Sequence, residues 1–329
     1  MKRSSILGLL GLAWVLALVL APLVGSHPLS LAEVWNGDTT AGTIFWQLRL
    51  PRTLLALLAG GALAVCGLSY QTLFRNELAE PYTLGTAVGA ALGAVLMIRW
   101  GGDFLQGLLG WAALPGIGIA SFVGAVAASS VVYGLAVRRR EAQGSTLLLA
   151  GIAVSLSATA VILFIQYLSD STQTYRMVRW TMGGLAVVGY REVLWLLPWV
   201  LGGCGVLLAL RWELNLLLTG EELAASRGVD LARLRRRVLA VTSLMVGALV
   251  AVAGPIGFVG LMVPHILRRF LGHDHLQLIP ACLLAGGAFL AVCDAVARVV
   301  MAPAELPVGI LTALLGGPFF LWLIFFERS

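Results

Sequence analysis

The stretch LRLPRTLLALLAGGALAVCGLSYQTLFRNELAEPYTLG, residues 48–85, decides the fold. Its centre belongs to an apolar run spanning 46–72, which ends where Arg75, Glu77 and Glu80 follow. About 20 predominantly apolar residues are what an α-helix needs to cross a hydrocarbon core roughly 30 Å thick. The Gly60–Gly61 pair inside the run lets a neighbouring helix approach closely, as membrane helices need when lipid offers no hydrophobic drive for their association.

Outward from this stretch the pattern repeats. Apolar runs bounded by charges and Gly or Pro breaks fall at 5–24, 46–72, 82–100, 116–137, 146–168, 192–211, 237–254, 257–271, 278–300 and 307–326. They predict an all-α integral membrane protein with about ten transmembrane helices in a single domain over 1–329. The whole composition agrees: 59% of the 329 residues are hydrophobic and 12% charged, against roughly 45–50% and about 25% in a soluble domain. A soluble enzyme, a disordered chain and a nucleic-acid binder are excluded. The formal charge of +6 is scattered between the apolar runs, so it reads as topology and not as a polyanion site.

With the N-terminus inside, fifteen of the 22 basic residues fall on inner segments, which places both termini in the cytoplasm. The run after Lys2 and Arg3 is long for a signal peptide and has no small-x-small site behind it, so it reads as a retained first helix. Cys66, Cys204, Cys282 and Cys293 all lie within apolar runs and read as buried, inert thiols. Asp294 and Arg298, four residues apart, can pair on one helix face. His265 reads as structural, and His273 and His275, flanking Asp274, as part of a solvated inner loop.

The inner segment 211–237 is the most charged stretch. Two short helices separated by Gly228 fit it, with Thr219 capping the first and Glu221 and Glu222 in its opening turn. Leu223, Ala224 and Ala225 interleave with the charges, a pattern suited to docking a soluble partner. The chain cannot itself hold a P-loop, because Lys2 is its only lysine. Any ATPase that drives it is another chain. The alternative class is an ion-coupled secondary transporter, but no stack of intramembrane carboxylates or histidines forms a relay.

Several segments together resemble the permease subunits of ABC importers for iron-siderophores, haem and vitamin B12. They are residues 48–85, quoted above; GPIGFVGLMVPHILRRFLGHDH (254–275); AVCDAVARVVMAPAELPVGILTALLGGPFFLWL (291–323); and LNLLLTGEELAASRGV (214–229), which is similar to the family's ATPase-coupling loop. The resemblance implies a vitamin B12 permease-like bundle in a type II importer of the bacterial or archaeal cytoplasmic (inner) membrane. It implies a homodimer with a second copy of itself, two cytoplasmic ABC ATPase subunits that carry ATP and Mg, and a periplasmic or lipoprotein binding protein. No cofactor is implied on this chain, and the cargo is a ferric siderophore, haem or cobalamin.

The resemblance also implies roles for single residues. Arg49, Arg52 and Arg298 match outer arginines that receive carboxylates of the binding protein. Asn76 and Leu78 match one cytoplasmic gate position, and Gly144 and Ser145 a second. Gly220, Glu221, Glu222, Ala224 and Gly228 match the coupling loop. Two departures stand out: the family usually has Pro where this chain has Glu77, whose charge would retune the gate, and Gly144 stands where a hydroxyl residue can occur.

Overall fold

The structure is a computed structural model that describes residues 3–25, 34–35, 39–81, 85–101, 116–138 and 144–326. Every regular element among them is helical. In chain order the helices are α1 (Arg3–Leu20), α2 (Leu50–Phe74), α3 (Thr86–Trp100), α4 (Gly116–Arg138), α5 (Gly144–Tyr167), α6 (Ser171–Thr181), α7 (Arg191–Ala209), α8 (Arg211–Leu217), α9 (Glu221–Ser226), α10 (Leu231–Ala253), α11 (Val259–Leu271), α12 (His275–Ala297) and α13 (Val308–Phe326). A short helix at Thr40–Thr43, capped by the Thr39 hydroxyl on Gly42 N at 3.0 Å, runs through a π-helical stretch, Ile44–Arg49, straight into α2.

Each predicted apolar run overlaps one of these helices, but the helices are not equal. Among the described residues seven helical segments are long and apolar enough to cross a membrane: Ser5–Leu23, Thr40–Phe74, Gly116–Leu135, Leu149–Tyr167, Arg191–Ala209, Leu231–Ala253 and His275–Ala297. Thr86–Trp100 and Val308–Leu323 are shorter apolar helices. α11 has 13 residues, which at 1.5 Å per residue reaches about 20 Å, less than a bilayer core. Its run was read from 257, two residues before the helix begins, because Phe258, at φ +69, holds the chain out of helix before Val259.

α2 is the axis of the bundle. Its residues are buried almost without interruption from Leu55 to Phe74, and α12, α11, α7, α10, α1 and α8 pack around it. Glycine makes the close approaches possible. Gly60 of α2 faces Gly286 of α12, and Gly67 faces Gly260 of α11, so that a Cβ on either α2 glycine would run into backbone carbonyl oxygen. Gly89 of α3 meets Gly124 of α4 in the same way. Several polar side chains inside α2 find partners within the protein, as a membrane interior favours, although Tyr70 OH and Gln71 Oε1 are buried without a hydrogen-bond partner among the described residues. Thr53 and Ser69 donate to Arg49 O and Val65 O one turn back, and the Gln71 amide donates to Gly260 O and Leu261 O of α11, both at 3.3 Å. α1 is built into the same bundle: it packs along α12, with Ile6, Leu7, Leu10 and Trp14 against the core.

Candidate functional site

Three groups of residues singled out in the sequence lie at the ends of these helices. At the start of α2, Arg52 grips Asp294 of α12 with Nε 2.9 and 3.0 Å from the two carboxylate oxygens and Nη2 2.9 Å from Oδ1. Its Nη1 lies 2.5 Å from Oε2 of Glu305. Arg298, one turn beyond Asp294, places Nε 3.3 Å from the same carboxylate and donates from Nη2 to Ala21 O at 2.9 Å. The expected i,i+4 pair therefore forms, and Arg52 shares it. Arg49 donates to Leu23 O at 3.2 Å.

Arg49, Arg298 and Asp294 are all buried within the chain. Arg49 and Arg298 are held on backbone carbonyls of the segment after α1, so in this conformation they position the cluster and do not present a free fork to a partner. Arg52 differs. Its second carboxylate, Glu305, has 47% of its side chain exposed. Arg52 and Glu305 line an open hollow of about 550 Å³ with Tyr175 and Arg179 of α6. Arg176 and Arg179 are exposed; the sequence reading gave neither a role. The signal that marks them is an amphipathic helix with two basic residues, three positions apart, on its exposed face.

Asp294 balances two arginines in a buried setting. Removing one partner of such a pair strands a charge and costs about 3–5 kcal/mol, whereas an exposed pair contributes about 0–1 kcal/mol. Asp294→Asn is thus expected to lower the melting temperature of the purified protein sharply, and Glu305→Gln to leave it nearly unchanged. Equal, small shifts for both would show that the cluster does not hold α2 to α12.

At the other end of α2, Arg75 takes up φ +49 and stops the helix. The loop after it is a tight turn: Asn76 Oδ1 accepts Leu78 N at 2.9 Å, and Asn76 O accepts Ala79 N at 3.1 Å. Leu78 is 56% exposed. Glu77, the departure from the family pattern, lies 3.1 Å from His265 Nδ1 and so ties the loop to α11. Gly144 and Ser145 form the first turn of α5, and their side chains lie outside the described residues.

Glu80 closes the loop. It is buried and accepts Phe258 N at 3.3 Å, and burial pushes its carboxyl up to about 7. The sign follows from linkage. The folded state holds this proton up to about pH 7, whereas the unfolded chain releases it at the ordinary glutamate value of 4.5. The stability that Glu80 contributes is therefore complete below that lower value and disappears as pH rises through about 7. Melting followed between pH 5 and 8 should fall with rising pH in the parent and flatten in Glu80→Gln. An identical slope in both would show that another group sets it.

The inner segment corrects two expectations. The first expected helix is α9, with Glu221 and Glu222 in its opening turn as read, but the helix after Gly228 is the 23-residue α10 and not a short one; a further short helix, α8, precedes Gly220, at φ +123. Thr219 does not cap: Gly220 occupies the position before Glu221, and the Thr219 hydroxyl turns back to donate to Leu216 O at 2.7 Å. Gly228, at φ +88, separates α9 from α10 as expected, and Asp230 caps the first turn of α10 on Arg233 N at 3.0 Å. Arg235 and its neighbours are thus helical. Glu221 Oε1 pairs with Arg235 Nη2 at 2.6 Å, and Ala224 is fully buried. The ion pair ties α9 to α10, and Ala224 faces inward beneath it. The outward face is Glu222 with Leu223, which is 45% exposed, and nothing lies within 4 Å of where a Cβ on Gly220 or Gly228 would be. Leu223 was not among the assigned residues. An apolar side chain next to two glutamates was its signal, and only the helix phase shows which of Leu223 and Ala224 points out.

Comparison with known proteins accords with this arrangement. The model of the FecCD transport family matches residues 12–326. The hemin transport system permease protein HmuU of Yersinia pestis is 39% identical over 328 residues, covering 98% of this chain and 96% of its own. The vitamin B12 import system permease protein BtuC of Shigella boydii serotype 18 is 40% identical over 334 residues, covering 99% and 97%. Among solved structures, a metal-chelate type ABC transporter in an inward-facing conformation superimposes with a TM-score of 0.85 at 31% identity, covering 99% of this chain and 100% of that one.

Proposed function

We infer the function from one premise: the chain belongs to the FecCD transport family. It is an ABC importer permease of the family that moves haem, iron chelates or vitamin B12, and its role is transport and not catalysis. The observation that most supports this reading is the whole-chain match in both sequence and fold. An ion-coupled carrier is not favoured.

The finer reading is ours. Two copies of the chain enclose the path, ten helical segments of each cross the inner membrane of a bacterium, and both ends lie in the cytoplasm. Separate ATPase subunits dock on α9 and supply the energy. A binding protein captures the cargo and docks on the outer face, where one of its carboxylates displaces Glu305 from Arg52; the planar guanidinium fork suits such an exchange. ATP binding then favours one of two conformations through contacts made differently in each, and the loop 75–81 opens or closes the inner mouth. The cargo is a ferric siderophore, haem or cobalamin.

Uptake by proteoliposomes holding the full complex tests the cargo. Ferric siderophore, haemin and cyanocobalamin are each offered with the matching binding protein on the outside. One of the three should accumulate, and only with the binding protein present. Accumulation of none, or uptake independent of the binding protein, would contradict the reading.

A further inference from the structure

The sequence His273-Asp274-His275 has no part in the function proposed above, yet it sits where α8 meets the gate end of α2. Asp274 caps α12, and its Oδ1 accepts Leu276 N at 3.1 Å and the Asn215 amide nitrogen at 2.9 Å. That second bond fixes the Asn215 amide, nitrogen toward Asp274 and oxygen toward His275. Asn215 Oδ1 lies 3.0 Å from His275 N and 2.6 Å from His275 Nδ1. An amide oxygen only accepts, so Nδ1 carries a hydrogen. In the neutral ring Nε2 is then an acceptor, and Thr72 Oγ1, 2.9 Å away, donates to it. His275 is 1% and Thr72 0% exposed, so both bonds are shielded from bulk solvent. This corrects the expectation of a solvated His275: the ring is interior to the fold.

We propose that Asn215, His275 and Thr72 form a positioning relay that carries a displacement of α8–α9 to the gate loop 75–81. The proposal rests on the reading that α8–α9 docks the ATPases and that the loop is the gate. Each link is directional. Asn215 lies on α8, five residues before Gly220. Thr72 lies in the last turn of α2, where its carbonyl accepts Arg75 N at 3.2 Å as the helix ends. Leu214 and Leu217, both fully buried, seat α8 on the bundle but would let it slide. The hydrogen bonds set its register, because sliding α8 without moving α2 would leave a buried ring nitrogen unpaired.

The experiment uses the permease assembled with its ATPase subunits in nanodiscs. A cysteine is placed at the exposed Leu78, and its labelling by a membrane-impermeant maleimide is timed with and without ATP and vanadate. The four native cysteines are buried, which keeps the background low. With the relay intact, nucleotide should change the labelling rate at least about fivefold, the lower end of typical coupling between distant sites. Thr72→Val and Asn215→Ala should bring that ratio close to one with the ATPase subunits still bound, and Thr72→Ser should keep it. Asn215 lies on a short surface helix, so its variant decides the matter if Thr72→Val fails to fold. Parental ratios in both variants would overturn the relay and leave the gate reading standing. A rate indifferent to nucleotide in the parent, with ATPases bound, would overturn the gate reading and the relay together.

Discussion

Leu223→Glu should strip the ATPase subunits from the complex. Leu223 is the one large apolar side chain on the outward face of α9 and is 45% exposed. Around it Glu222 is exposed, while Glu221 is engaged by Arg235 and Ala224 is buried below. An apolar anchor ringed by polar groups is the usual form of a binding hot spot, and losing one costs about 2 kcal/mol or more, roughly a thirtyfold fall in affinity. Placing a carboxylate in the partner's pocket adds a desolvation cost to that. Co-purification should therefore fail and ATP-driven uptake fall to background, while the permease inserts and melts much as before, because the side chain is largely exposed at the surface of a six-residue helix. Ala224→Leu would act differently, by prising α9 off α10. If Leu223→Glu retains a full complement of ATPases, α9 is a topological spacer and docking lies elsewhere.

Gly67→Val should abolish the folded permease altogether. The position lies inside α2 where it crosses α11, and an added Cβ meets the carbonyl of Gly260. Overpacking an ordinary core costs about 1–3 kcal/mol because side chains yield. Here the obstacle is backbone, already held by the Gln71 amide on Gly260 O, so the two helices must separate. Their separation would also break the packing of the bundle's most buried helix. The expected outcome is loss of the monodisperse peak and of any cooperative melt in detergent, against a total stability of only about 5–15 kcal/mol for a typical protein. Gly202→Val is the control, since nothing lies within 4 Å of that position. A Gly67→Val protein that melts like the parent would show that α2 and α11 do not approach as described.

Residues 48–85 made the class of fold legible because length and polarity alone decide whether a helix can cross a bilayer. Periodicity added little: α2 is buried on every side, so no polar face marks its neighbours. The close contacts at Gly60 and Gly67 were legible only as a permission for approach, since a glycine does not name its partner. The outer arginines show a similar limit. Their charge and place were visible at Arg49, Arg52 and Arg298, and so was the Asp294–Arg298 spacing. That Asp294 also binds Arg52 depends on residues 242 positions apart in the chain. Thr219 was misread as a cap because capping rules give the residue types that suit a helix start, whereas the φ of Gly220 sets where the turn falls; the break at Gly228 was read correctly, but not that the helix after it runs on as α10. His275 was taken for a loop residue because its burial is imposed by α8 and α2, neither of which is near it in sequence.

The most direct test of the transport reading is the energy source of uptake. Proteoliposomes are prepared with the permease, its ATPase subunits and ATP inside, and the cargo-loaded binding protein outside. Accumulation should require ATP, stop with vanadate, and continue undiminished when proton and sodium gradients are collapsed by ionophores. Accumulation that persists without ATP and disappears with the ion gradients would contradict it.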